Sequence, residues 1–241
     1  MRFAVRWAAL SVVALATFAT TAWSQETKTE HDAVRPAPRE GGWMNRHESM
    51  NARVAQGNVG IVFIGDSITQ GWEGAGKEVW KEFYGERNAV NLGIGGDRTQ
   101  HVLWRLENGN LKGIEPKLAV VMIGTNNANS NQPEQIADGI ERIVELLKSK
   151  TPETEILLLA VFPRGATADD RLRQVNLKTN EIIAKLADDQ QVHFLDIGPQ
   201  FLAEDGTLSQ EIMPDRLHLS EQGYRIWAES IEPKVKELLG Q

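Results

Sequence analysis

The sequence predicts an α/β protein, a three-layer sandwich in which helices cover both faces of a five-stranded parallel sheet. Five short apolar runs alternate along the chain with longer segments whose apolar residues recur at helical spacing. Unbroken apolar runs are typical of parallel strands, because both faces of such a sheet are covered. The 241 residues, 41% of them hydrophobic, suit one domain of this kind with a short extension.

The predicted strands are compact runs of β-branched and aliphatic residues that end near glycine, proline or polar residues. They cover residues 59–64, 89–92, 118–123, 155–162 and 192–197. Parallel strands joined through helices need right-handed crossover connections, which place helices in both outer layers. Ligands of such sheets bind beyond the carboxyl ends of the strands, so functional residues are expected in the loops that follow them.

Four of the helices can be delimited from apolar spacing and capping residues. They cover residues 43–56, 133–148, 172–186 and 220–238. Pro133 suits the first turn of the second helix, and Ser220 suits the N-cap of the last. Pro233 lies inside the last helix and is predicted to bend or break it, because proline removes a backbone hydrogen bond.

Residues 1–24 have the pattern of a secretory signal peptide. Arg2 and Arg6 precede an apolar run at 8–18, and Ala22-Trp23-Ser24 forms a small-x-small cleavage site. The alternative is an uncleaved anchor, although the apolar stretch falls short of the ~20 residues that span a bilayer. We therefore expect an exported protein, periplasmic or secreted, with no membrane span after signal removal.

Residues 25–42 are predicted to be a flexible linker, and residues 43–241 the folded domain. The linker is polar and charged and contains Pro36, Pro38 and the pair Gly41-Gly42. Such a composition buries too little apolar surface to order itself.

Charge and cysteine content exclude several classes of function. Removal of residues 1–24 takes away two arginines and no acidic residue, so the net charge changes from −7 to −9. This charge argues against nucleic acid as a partner. The sequence contains no cysteine, which excludes disulfides, thiolate metal sites and a cysteine nucleophile.

Polar residues with complementary chemistry follow the predicted strands. Ser67 follows the first strand, and Gly93, Gly95 and Gly96 follow the second. Asn126 follows the third, while Asp215 and His218 share a loop before the final helix. A serine hydroxyl becomes a nucleophile when a base takes its proton, and the resulting oxyanion needs fixed donors. Histidine suits the base, because its unperturbed pKa is about 6.5. This pattern predicts hydrolysis of an ester.

Taken singly, each of these residues has a structural alternative. Ser67 could form a turn or cap a helix, Gly96 could allow a tight turn, and Asn126 could cap a helix. Asp66 is expected to accept backbone N–H groups at the turn. A polar network near the pocket is expected from residues Asp97, Arg98 and Arg164, and structural roles are expected for residues His31, His47, His101 and His193.

The segment Gly71-Trp72-Glu73-Gly74-Ala75-Gly76-Lys77 has the spacing of a nucleotide-binding P-loop. However, Glu78 stands where serine or threonine must hold magnesium, and six residues separate the segment from the preceding strand. We predict that this segment does not bind a nucleotide.

Four blocks of the sequence together resemble the GDSL, or SGNH, hydrolases. They are Gly65-Asp66-Ser67, Gly95-Gly96-Asp97, Gly124-Thr125-Asn126-Asn127 and Asp215-x-x-His218. Within that superfamily, residues 91–106 and 162–165 resemble the catalytic subunits of brain-type platelet-activating-factor acetylhydrolase. The resemblance covers roughly residues 60–239, and four blocks in order are far more specific than any one motif.

The resemblance implies a flavodoxin-like sandwich and a Ser-His-Asp triad. Ser67 would be the nucleophile, His218 the base and then the acid, and Asp215 the group that orients His218. The backbone N–H groups of Ser67 and Gly96 and the Asn126 amide would form the oxyanion hole. The resemblance implies no metal or cofactor. It is compatible with a homodimer, because the resembled subunits dimerise.

The sequence therefore predicts an exported serine esterase that releases short acyl groups, with acetate favoured. Its substrate would be a small-molecule or carbohydrate ester. Two alternatives remain open: a lysophospholipase or thioesterase that acts on longer acyl chains, and a non-catalytic binding module on the same fold.

Overall fold

The computed structural model describes Met1 and residues 30–241, and it contains one five-stranded sheet. The strands are β1 (Ile61–Gly65), β2 (Ala89–Gly93), β3 (Leu118–Met122), β4 (Glu155–Leu159) and β5 (Val192–Leu195). Every neighbouring pair is parallel, in the order β2-β1-β3-β4-β5. The predicted fold class is confirmed. The predicted signal peptide, residues 1–24, lies outside the described residues apart from Met1.

Seven α-helices cover the two faces of this sheet within the described part of the chain. They are α1 (Gly42–Val54), α2 (Ser67–Gln70), α3 (Lys77–Tyr84), α4 (Thr99–Arg105), α5 (Pro133–Lys150), α6 (Arg171–Ile183) and α7 (Glu221–Leu239). Among residues 30–241, none of the helices combines the length and the hydrophobicity needed to cross a bilayer.

Alternate residues of each strand feed two separate hydrophobic cores. Val62 and Ile64 of β1 pack in the core that includes α1, α4, α5 and α6. Ile61 and Phe63 point the other way, into the core that includes α2, α3 and α7. Successive side chains of a strand point to opposite faces, and here both faces are covered, so β1 is buried along its whole length.

The predicted break at Pro233 does not occur, because α7 continues from Glu221 to Leu239. Ile231 and Val235, on either side of the proline, are both fully buried in the core under α7. We attribute the continuity to this packing, which compensates for the backbone hydrogen bond that proline cannot make.

The prediction of a flexible linker is wrong from residue 31 onward, and residues 25–29 lie outside the described residues. Residues 31–40, which we call the N-terminal strap, lie against the domain, and Ala33 is fully buried. The strap is held by hydrogen bonds of His31 with Asp138, Asp32 with Asn131, Ala33 with Thr99 and Ala37 with Gln100. Composition reflects only the apolar area that a segment can bury, and polar groups of the strap are stabilised by partners elsewhere in the chain.

The turn between β1 and α2 is tightly packed. Gly65 ends β1 at a position where a Cβ would clash with the Thr69 side chain and the Met122 carbonyl. Asp66 caps α2, accepting the Ile68 N–H at 2.9 Å, as the sequence suggests. Burial raises the pKa of Asp66 to about 7, and the nearby Asp97 carboxylate adds to this, although the Ile68 N–H and His218 act in the opposite direction.

We predict that Asp66 makes the protein less stable as pH rises from about 4 to about 7. The pKa of this carboxyl is higher in the folded chain than in the unfolded chain, so folding favours the protonated form, and that contribution is lost as the carboxyl ionises. Asp66→Asn keeps a capping oxygen but cannot ionise. Between pH 5 and pH 8 the wild type should lose about 3 kcal/mol of unfolding free energy relative to this variant. Urea unfolding at both pH values measures this, and parallel pH curves for the two proteins would contradict it.

Candidate active site

Ser67 is the first residue of α2 and lies at the carboxyl edge of β1. Its hydroxyl Oγ lies 2.9 Å from Nε2 of His218, a residue 151 positions later in the chain. Nδ1 of the same ring lies 2.6 Å from Oδ2 of Asp215. The structure therefore brings the three residues of the suspected triad into one line of hydrogen bonds.

The Asp215 carboxylate holds both the backbone of its own loop and the ring of His218. Oδ1 of Asp215 accepts the backbone N–H groups of Leu217 and His218 at 3.0 and 2.7 Å, while Oδ2 faces the imidazole. Partial burial raises the pKa of Asp215, but its hydrogen bonds with the ring and backbone of His218 outweigh burial, so the net pKa is lowered. An ionised carboxylate only accepts, so Nδ1 carries a proton and leaves Nε2 free to take one from Ser67.

The Gly95-Gly96-Asp97 segment, which we call the 95–97 loop, borders Ser67. The Gly95 N–H donates to Oε1 of Gln70 at 2.7 Å, and a Cβ on Gly95 would lie 3.8 Å from the Ser67 Cβ. Gly96 adopts a φ of +76°, which favours glycine. Among the described residues, no group accepts the backbone N–H of Gly96 or of Ser67. Both N–H groups are therefore free to donate to a bound ligand.

Asn126 is also present at this site, but its amide already has protein partners. Nδ2 lies 2.9 Å from the Asp97 carbonyl and 3.4 Å from Oδ2 of Asp66. The first contact is an ordinary hydrogen bond, while the second is at the outer limit of one. The amide is thus anchored through one hydrogen atom, and its other hydrogen is weakly engaged.

The carboxylate of Asp97, the last residue of the 95–97 loop, is fully buried. Its Oδ2 accepts Nε of Arg105 at 2.8 Å, and its Oδ1 accepts Nε1 of Trp43 at 2.6 Å and Nη1 of Arg39 at 3.2 Å. Arg105 is also fully buried, and its Nη2 donates to the Gly65 carbonyl at 3.2 Å. This cluster links the strap, α1, α4 and the end of β1 to the loop.

The polar network expected from Asp97, Arg98 and Arg164 is instead split into separate contacts. Nη1 of Arg98 lies 3.9 Å from Oδ2 of Asp32 on the strap. Arg164 donates to the carbonyl and the hydroxyl of Thr125 at 3.2 and 3.1 Å. The actual partners of Asp97 were missed by sequence reasoning. Arg105 could have been found as a buried ion-pair partner, because it is an arginine within the apolar face of α4. Nothing in the sequence marks Arg39 in this way.

Four other histidines have partners of their own. They are His31 with Asp138, His47 with the Asn108 carbonyl, His101 with the Arg98 N–H, and His193 with Glu155. Burial lowers the pKa of His101 to about 4, with the nearby Asp97 acting in the opposite direction. Among residues 30–241, no cluster of three or more histidine or acidic side chains is arranged to hold a metal ion.

The segment with P-loop spacing has a packing role. A Cβ on Gly71 would overlap the Tyr224 hydroxyl, and a Cβ on Gly76 would approach both the Trp72 ring and the Tyr224 ring to 2.7 Å. The Tyr224 hydroxyl donates to the Ile68 carbonyl at 2.6 Å. These glycines therefore allow Tyr224 of α7 to pack closely against the segment between α2 and α3, which accounts for their presence without a phosphate.

Comparison with known proteins identifies the family of this chain. The model of the GDSL-like lipase/acylhydrolase family matches residues 63–226. Platelet-activating factor acetylhydrolase IB subunit alpha1 from Homo sapiens is 40% identical over 218 residues, covering 88% of this chain and 93% of the relative.

Solved structures share the fold. A GDSL-like lipase from Bacteroides thetaiotaomicron superposes with a TM-score of 0.65 at 23% identity, over 80% of this chain and 97% of that one. An acetylxylan esterase from Geobacillus stearothermophilus gives 0.59 at 19% identity, over 77% and 95%. By its match to the family model and to its curated relatives, the chain belongs to the GDSL-like lipase/acylhydrolase family and is a carboxylic ester hydrolase.

Proposed function

We propose that this protein is an exported serine esterase that hydrolyses short-chain acyl esters, with acetyl esters preferred. The observation that carries the proposal is the 2.9 Å contact between Ser67 Oγ and His218 Nε2, with Asp215 2.6 Å from the other ring nitrogen. Such an arrangement allows the hydroxyl to lose its proton as it attacks, which a lone serine cannot do at neutral pH.

In the proposed mechanism, Ser67 Oγ bonds to the ester carbonyl carbon while its proton passes to His218 Nε2. Asp215 holds the Nδ1–H and stabilises the imidazolium. The carbonyl oxygen becomes an oxyanion and accepts the free N–H groups of Ser67 and Gly96. The Asn126 amide adds a third donor by exchanging its 3.4 Å contact with Asp66 for the oxyanion.

Collapse of the tetrahedral intermediate breaks the ester C–O bond, and the departing alcohol takes the proton from His218. A water molecule then attacks the acyl-serine with His218 again as base, and Ser67 is regenerated as the acid leaves. The side chains of His218 and Asp215 are 45% and 56% exposed, so water can reach the ring for this second step.

The preference for short acyl groups is supported by the names of one relative in sequence and one relative in structure. One is an acetylhydrolase subunit, and another is an acetylxylan esterase. We propose a carbohydrate as the alcohol half, because a net charge of −9 after loss of residues 1–24 would be repelled by anionic lipid surfaces. Longer acyl chains, as in a lysophospholipase or thioesterase, are the second candidate.

The first test compares p-nitrophenyl acetate, butyrate and octanoate, together with acetylated xylan. We expect the highest kcat/KM with acetate, and a loss of about 10⁴-fold or more in kcat for Ser67→Ala. A preference for octanoate would overturn the short-chain assignment. Equal rates for wild type and Ser67→Ala, with no labelling of Ser67 by a fluorophosphonate, would instead indicate a non-catalytic module.

Asn126→Ala should lower kcat for p-nitrophenyl acetate by about 10²- to 10³-fold, since it removes one oxyanion donor. Asn129 is the matched control, because it is exposed and lies three residues further on, at the end of the 3₁₀ turn that Asn126 precedes. We expect Asn129→Ala to keep the wild-type rate. Full activity of Asn126→Ala would remove this residue from the mechanism.

Export is tested by expressing the full chain in a bacterial host and sequencing the N-terminus of the protein outside the cytoplasm. Cleavage by signal peptidase after Ser24 should give a chain that begins at Gln25. An intact N-terminus in the membrane fraction would indicate an anchor, and an intact N-terminus in the cytoplasm would overturn the proposal of export.

A further inference from the structure

The N-terminal strap reaches the candidate active site through a single side chain. Nη1 of Arg39 donates to the Gly95 carbonyl at 2.8 Å and lies 3.2 Å from Oδ1 of Asp97. The same guanidinium lies against the middle residue of the 95–97 loop, because a Cβ on Gly96 would be 3.2 Å from both Nη1 and Nη2. Arg39 therefore contacts Gly95 and Asp97 and lies beside Gly96.

The contact with Gly95 matters because the Gly95 carbonyl and the Gly96 N–H belong to one peptide group. A trans peptide is planar, so a donor that fixes the direction of the carbonyl also fixes the direction of the N–H at its other end. Both flanking residues are glycines, whose backbones resist rotation least. Among the described residues, only Arg39 donates a hydrogen bond to this carbonyl.

The positive charge of the guanidinium that donates to the Gly95 carbonyl also makes the Gly96 N–H, at the other end of the same peptide, a stronger donor. Hydrogen bonds in series polarise one another, and charged donors make the stronger bonds. The Gly96 N–H, which has no acceptor among the described residues, should therefore be a better donor with Arg39 in place than without it.

We propose that Arg39 is a positioning residue, which orients and polarises the Gly95–Gly96 peptide so that the Gly96 N–H meets the developing oxyanion. This inference rests on the proposed function, since the N–H acts on an oxyanion only if Ser67 attacks an ester. Through Arg39 alone, the strap supports the geometry of the oxyanion hole, and it contributes no group that touches the reacting atoms.

The arrangement allows Arg39 to be changed without dismantling the fold. Asp97 keeps its hydrogen bonds with Arg105 and Trp43, so its buried charge stays paired. The strap keeps its hydrogen bonds at residues 31–37. The Arg39 side chain is 37% exposed, so its truncation opens little buried space.

The test compares Arg39→Ala, Arg39→Lys and Arg35→Ala with p-nitrophenyl acetate as substrate. Arg35 is the matched control, an exposed arginine on the same strap. For Arg39→Ala we expect kcat to fall about 10- to 100-fold with KM nearly unchanged, because the oxyanion exists only beyond the ground state. Arg39→Lys should recover part of this, since an ammonium can donate to the Gly95 carbonyl, and Arg35→Ala should match the wild type.

A second measurement does not depend on esterase activity. The Asp97 N–H donates to the Ile94 carbonyl at 3.1 Å and closes the turn that contains the 95–97 loop. Loosening of the loop should speed hydrogen exchange of this amide in Arg39→Ala and leave it unchanged in Arg35→Ala. Thermal unfolding checks that each variant is folded.

The outcomes separate this inference from the proposed function. If folded Arg39→Ala keeps kcat within twofold of the wild type, or if only KM rises, the positioning role is overturned. If the wild type hydrolyses no ester, the proposed function fails. In that case, unchanged exchange at Asp97 also overturns the positioning of the loop, while faster exchange supports it.

Discussion

The buried carboxylate of Asp97 is the constraint on which the rest of the site depends. An ionised group without water is very costly unless donors surround it, and Arg105, Trp43 and Arg39 supply them from three separate parts of the chain. Each donor has to be brought to the carboxylate, so α4, α1 and the strap are held at fixed positions around the 95–97 loop. Arg105 extends the same constraint to the Gly65 carbonyl, immediately before the turn that presents Ser67.

Burying the Asp97 carboxylate costs desolvation free energy, and its effect is to fix the conformation of the 95–97 loop. Buried ion pairs contribute little net stability, because desolvation consumes most of the attraction. What they fix is geometry: a loop of two glycines and an aspartate would otherwise have many accessible conformations. Here the Gly95 and Asp97 carbonyls, the Asp97 carboxylate and the Gly95 N–H are all engaged by neighbours. The N–H groups of Ser67 and Gly96 have no acceptor among residues 30–241.

The sequence predicts the parts of the structure that depend on local pattern. The strands follow from unbroken apolar runs, with β4 ending at Leu159 rather than at residue 162, and α5 follows from its apolar spacing and Pro133. The four functional blocks could be located because each one follows a strand or precedes a helix. Long-range polar pairing could not be predicted, since Arg39 and Asp97 are 58 positions apart and neither lies in a periodic pattern. The order of the strap and the continuity of α7 through Pro233 depend on such tertiary contacts, which override local composition.

Tyr224 has a consequence for how this protein can vary. Its hydroxyl donates to the carbonyl of Ile68, next to Ser67, while its own helix begins three residues after His218. The ring is fully buried, so it acts as a spacer of constant length between the two segments that carry the hydroxyl and the imidazole. The connection from β5 to Asp215 is therefore relieved of setting that separation. Insertions, deletions and substitutions at exposed positions there can accumulate over evolution, while the separation of the Ser67 hydroxyl and the His218 ring stays the same.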